Sequence, residues 1–212
     1  MACLTALFAV GGLTTAKSAP DFRQRSSADG CIHPEGPTPD ELIAACSKVL
    51  SSHILNRNGT TLALTNLAVA YEQKNDWNSA LDVLTAAIKF EETWPAFIDR
   101  AHAYSQLGKP DLAHADLDNA VKRGSDQPVT YRARGEFYLE QQNFREAAED
   151  FTRALVLNSK DAKSLFYRSA ARKGLGDTAG ATADLATAKQ IDPQVEDHLG
   201  TTTRANSYVT TQ

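Results

Sequence analysis

A large excess of charge of either sign is missing from this 212-residue chain: 22 Lys and Arg face 26 Asp and Glu, a formal net charge of −4. The pI near 5.7 offers no basic face of the kind that nucleic acid demands. Alternating Val and Ile runs are missing as well, while alanine is abundant, which favours an all-helical chain over one with strands. Metal-binding patterns are absent. None of the five histidines (His33, His53, His102, His114, His198) has a histidine or cysteine three or four residues on, and no His/Cys cluster has zinc spacing. Gly174–Asp177, "GLGD", lacks the strand and the lysine of a phosphate loop, and no G-x-S-x-G occurs. These absences exclude recognisable catalytic, cofactor and metal chemistry and point to a non-enzymatic protein.

Cysteine is scarce: Cys3, Cys31 and Cys46. Ala2 to Leu13 is a continuous apolar run, too short to span a bilayer but matching the core of an export signal, and small-x-small patterns follow it at Thr14–Ala16 and Ala16–Ser18. No Lys or Arg precedes that run. Residues 1–19 are therefore read as a signal peptide and the chain as periplasmic or secreted, with the cytoplasm as the alternative. Cys3 would leave with the signal. Cys31 and Cys46 would then form a disulfide, worth about 3 kcal/mol on the chain-entropy model; otherwise they are two separate thiols, with Cys46 buried on its helix.

Residues 20–37 are polar and rich in Ser, Pro and Gly, which reads as a linker. The stretch 38–57 reads as a lone N-terminal helix. Thr38 can cap it, Pro39 suits its first position, and Glu41 can close a capping box. "NRNGT", residues 56–60, reads as the connection that follows.

Beyond it the chain repeats. Tyr71, Tyr104 and Tyr138 lie one period apart, and so do two alanine series: Ala80, Ala113, Ala147, Ala181 and Ala87, Ala120, Ala154, Ala188. Between paired alanines sits one large apolar residue: Leu84, Leu117, Phe151 or Leu185. Four units, 61–93, 94–127, 128–161 and 162–195, predict four antiparallel helix pairs. The alanines allow close approach and the large residue fills the gap. One pair cannot bury its apolar face alone, so such units must stack.

This pattern resembles the tetratricopeptide repeat (TPR) family, over roughly residues 61–195. The family's small eighth position is met by Ala68, Ala101, Gly135 and Ser169, and its tyrosine fails only at Arg172. The resemblance implies an all-α, right-handed TPR solenoid of about four helix-turn-helix repeats behind a capping helix, with 196–212 a flexible tail. The paired cysteines and the lone helix ahead of the repeats are similar to exported bacterial TPR proteins.

Arg100, Arg134 and Arg168 recur at one position of units two to four, and Asp116, Asp150 and Asp184 at another; the first unit has Leu67 and Val83 instead. A partly buried guanidinium needs a paired carboxylate, so each Arg is expected to clasp its Asp between packed helices. The family also implies a concave groove lined by the first helices. Carried onto this chain, its facing positions include Val69, Ile98, His102, Arg132, Glu136, Leu139, Phe166 and Lys173. Arg132 and Glu136 would orient a bound peptide or protein segment, and the four apolar residues would bury its side chains. The family's clamp for acidic tails is excluded, because Thr65, Val69, Asp99, Val129 and Ala133 stand where it needs Lys and Asn. The alternative reading is a structural protein that self-associates through its terminal helices.

Overall fold

The computed structural model describes residues 27–32 and 38–199, and within them all regular structure is helical. The expected signal peptide and residues 20–26, 33–37 and 200–212 lie outside the described residues.

The order is α1 (Ser27–Ile32), α2 (Pro39–Ser51), then four pairs: α3 (Arg57–Gln73) with α4 (Trp77–Phe90), α5 (Trp94–Gln106) with α6 (Pro110–Arg123), α7 (Pro128–Glu140) with α8 (Phe144–Leu157), and α9 (Ala162–Gly174) with α10 (Thr178–Ile191). A single turn, α11 (Val195–Leu199), follows. Each pair packs on itself most heavily and then on its successor, so the array is an all-α solenoid preceded by a capping helix.

Three boundaries depart from expectation. Ser27–Ile32 is helical where a linker was expected. Six residues are far below the length at which a helix holds itself, so α1 depends on α2 and α3, against which it packs. Residues 56–60 are not a connection. Asn56 caps α3, accepting from the Gly59 N–H at 2.8 Å, and the rest form its first turn. The start of the expected tail is α11, whose Val195 is fully buried and whose Glu196 meets Lys189 at 2.9 Å.

Helix α2 opens as its sequence dictates. The Glu41 N–H donates to Thr38 Oγ1 at 3.3 Å, and Thr38 N–H donates to Glu41 Oε2 at 3.0 Å, closing the capping box over Pro39. Its Leu42, Cys46 and Val49 join Cys31 of α1 and Ala63, Leu67 and Ala70 of α3 in one buried cluster. The Cys31 and Cys46 sulfurs lie 2.18 Å apart, at disulfide distance.

Inside each unit a small residue faces a large one. Ala68 and Leu84 share one buried cluster, and Ala101 and Leu117 share another. Gly135 faces Phe151: a Cβ on Gly135 would sit 2.9 Å from the Phe151 ring, so the larger ring requires the smaller partner. Phe151 is fully buried, worth about 1.5–3 kcal/mol. Each pair is joined by a three-residue turn whose middle residue adopts the left-handed conformation: Asn75 (φ 56°), Gly108 (67°), Gln142 (62°) and Gly176 (81°). Glycine takes that conformation freely, whereas Gln142 holds it against a steric cost.

The structure brings all three arginine–aspartate pairs together. Arg100 grips Asp116 through Nε and Nη2 at 2.7 and 2.8 Å, Arg134 grips Asp150 at 2.7 and 2.9 Å, and Arg168 grips Asp184 at 2.8 and 2.8 Å. The aspartates are buried, and the parallel two-bond fork compensates their lost hydration. A third contact was not foreseen. The free Nη1 of each arginine reaches back to the preceding unit: Arg100 to Thr85 at 3.5 Å, Arg134 to Asp118 at 2.7 Å, Arg168 to Thr152 at 3.2 Å. Each guanidinium thus ties two helices of its own unit to the second helix of its neighbour. In the last unit Arg172, standing in for tyrosine, adds a second arginine to Asp184 at 2.8 Å.

Candidate binding groove

The first helices α3, α5, α7 and α9 carry the expected groove positions. Between α5 and α7 the surface sinks into a cavity of about 230 Å³. Its apolar floor is Ile98 and Ala101 of α5, Leu117 of α6, and Ala133 and Phe137 of α7. Its polar rim is Asp99, His102, Ser105, Glu136 and Glu140. Of the expected groove residues the cavity gathers Ile98, His102 and Glu136 together.

His102 is half-exposed, packs edge-on to Trp77 with ring centroids 5.2 Å apart, and holds Nδ1 3.8 Å from Glu72 Oε2. The Glu72 carboxylate raises the His102 pKa above its ordinary value, against the opposing effect of burial. The other Glu72 oxygen, Oε1, is buried with no hydrogen-bond partner among the described residues. Asp99 is pushed up to about 7, chiefly by burial and then by the nearby Glu72 charge. Glu136 also rises to about 7, because burial outweighs the attraction of Arg132. At both carboxyl groups burial outweighs the opposing charges, His102 beside Asp99 and Arg132 and Lys163 beside Glu136.

The other five expected groove residues lie outside this cavity. Leu139 and Phe166 are 1% and 0% exposed and belong to a cluster with Phe151, Tyr167 and Val195, so neither offers a surface to a ligand. The alternation that places their positions on the concave face ignores how far bulky side chains on adjacent first helices close over each other. Arg132 is a joint rather than a loose ligand contact. It donates to Asp161, the residue capping α9, at 2.6 Å and lies 3.5 Å from Glu136. Burial pushes the Asp161 carboxyl up, but the Ser164 hydrogen bond and the Arg132 charge outweigh it and hold it below its ordinary range. Lys173 is half-buried near the end of α9, away from the cavity, and Val69 is half-buried on α3.

Sequence reasoning used Asp99 only to exclude the clamp, and missed Glu140 and Glu72 altogether. A signal was available, since Glu72, Asp99, Glu136 and Glu140 are four acids on three successive first helices. No group of three or more His, Cys, Asp or Glu among the described residues could hold a metal ion, and no described helix is long and apolar enough to cross a membrane.

Comparison with known proteins matches this geometry. Tetratricopeptide repeat models match residues 63–93 and 133–196. ETO1-like protein 1 of Arabidopsis thaliana is 25% identical over 148 residues, 70% of this chain, but the match spans only 16% of that relative's length. Among solved structures, BtubC from P. vanneervenii superposes with a TM-score of 0.65 at 17% identity, covering 74% of each chain. YrrB, described as a TPR protein with an unusual peptide-binding site, superposes with a TM-score of 0.57 at 18% identity, covering 76% of this chain and 83% of its own. With repeat models on residues 63–93 and 133–196 and four stacked helix pairs beneath them, these parts of the chain match the tetratricopeptide repeat family.

Proposed function

We propose that this protein is a non-enzymatic scaffold that holds a peptide or protein segment along the first helices of its solenoid. The observation that carries this reading is the recess between α5 and α7, where an apolar floor opens to solvent beneath a polar rim in the middle of the array. Such a mixture suits a segment that buries one face and leaves its backbone reachable. The peptide-binding description of YrrB supports the same use of the fold. Ile98 and His102 are the central contacts, Val69 extends the surface toward α3, and Arg132 acts by fixing Glu136 in place. The Cys31–Cys46 pair fits an oxidising compartment, consistent with export to the periplasm or beyond.

Selection of a random peptide display library on the immobilised full chain, followed by calorimetry of the selected peptides, tests this reading. Ile98→Glu places a charge on the cavity floor and is expected to abolish binding, whereas Thr187→Glu on the exposed face of α10 leaves it intact. Peptides that bind Ile98→Glu as well as the parent chain would count against the groove. Light scattering over a concentration series addresses self-association: a mass that grows with concentration favours end-to-end assembly instead.

A further inference from the structure

We propose that the cavity between α5 and α7 receives one cationic side chain, lysine or arginine, of the bound segment. This inference rests on the groove reading and specifies what the groove selects.

Size sets the first limit. At about 230 Å³ the cavity falls below the roughly 300–1,000 Å³ of pockets for drug-sized ligands, and it suits a single long side chain. Chemistry sets the second. Ile98, Ala101, Leu117, Ala133 and Phe137 give the recess an apolar floor, while Asp99, Glu136 and Glu140 stand at its rim. Lysine and arginine divide in the same way, with an apolar stem and a charged head that seeks the polar end.

Charge sets the third. Asp99 makes no hydrogen bond among the described residues, and burial pushes both it and Glu136 toward neutrality. The nearest arginine, Arg132, is shared between Asp161 at 2.6 Å and Glu136 at 3.5 Å, and its charge together with that of Lys163 does not offset the burial of Glu136. Behind the rim, the buried Glu72 Oε1 has no hydrogen-bond partner among the described residues. His102 is half-exposed and lies 3.8 Å from Glu72, and its pull on Asp99 is outweighed there by burial and by the Glu72 charge. An entering cation would meet two under-compensated carboxylates at once. An apolar side chain would leave them stranded, and an acidic one would be repelled.

The probes are n-butylammonium and n-butylguanidinium, with n-butanol and butyrate as controls, titrated into the full chain carrying labelled alanine methyls. Measurement near pH 8 lies above the value of about 7 to which Asp99 and Glu136 are pushed, so both carry charge. Both cations are expected to shift the Ala101 and Ala133 methyls saturably, and the controls not to. Binding should weaken about tenfold in the Asp99→Asn/Glu136→Gln variant. Removing these charges relieves a burial penalty, so that variant should fold, which its helical circular dichroism checks. No cation response, an equal response to butanol, or an undiminished response in the variant overturns the proposal. The selected peptides separate the two readings. If they bind but tolerate norleucine at every Lys and Arg, the groove stands and this inference falls. If the cations bind and no peptide is ever selected, the cavity's preference stands and the groove reading falls.

Discussion

The first repeat and the three that follow build the same helix pair around different chemistry. Where units two to four place a clasped arginine and aspartate, the first places Leu67 and Val83, which pack into the cluster with Cys31, Cys46 and Val49. The difference follows from what stands in front. Arg100, Arg134 and Arg168 each spend a third donor on a hydroxyl or carboxylate of the preceding unit, Thr85, Asp118 or Thr152. Ahead of the first unit stands the apolar face of α2. An arginine there would meet no matching acceptor, so the slot is filled by carbon and sealed by α1. The slot tolerates either solution, provided the neighbour is chosen with it.

The sharpest way to break this contrast is Asp150→Ala, which leaves Arg134 buried without its main partner. It should cost about 3–5 kcal/mol in denaturant unfolding, while Arg134→Leu/Asp150→Leu, which makes the third unit imitate the first, should lie close to the parent chain. If the double variant is as unstable as the single, the slots are not interchangeable. On the first unit's side, reduction of the Cys31–Cys46 pair, or Cys31→Ser/Cys46→Ser, should cost about 3 kcal/mol and leave the helicity of units two to four in place. Equal stability with and without reductant would show that the sulfurs are not bonded in solution.

A smaller effect tests the small-against-large rule. Gly135→Ala, harmless by analogy with Ala68 and Ala101, should destabilise by about 1–3 kcal/mol because its methyl meets Phe151, and Phe151→Leu should rescue much of that loss by restoring the Ala-over-Leu pairing of the other units. Smallest of all, Gln142→Gly should stabilise by up to about 1 kcal/mol, matching the turns at Gly108 and Gly176, and a differential thermal melt would detect it.

Most of the fold was legible because its determinants recur. The alanine series, the Arg and Asp positions and the capping box around Thr38 each announce themselves by period or by spacing. The misses share a cause: they depend on contacts that no local pattern encodes. Helices α1 and α11 are too short to nucleate alone and exist through burial of Cys31 and Val195. Leu139 and Phe166 sit at positions that face the groove by family register, yet neighbouring helices close over them. The third arginine contact escaped because Thr85, Asp118 and Thr152 share a position but not a chemical type, so no single residue marks it. Glu72 and Glu140 went unnoticed because each is ordinary on its own helix and becomes unusual only when three helices are set side by side.

The backward reach of those guanidinium groups bears on how the rod comes apart. Opening any one hairpin deprives the next of an acceptor, so a local fluctuation near Asp118 is felt at Arg134 and on its far side at Asp150. Fraying is thereby discouraged, and amide exchange should report one common opening event from the second hairpin to the fourth instead of a gradient toward the ends.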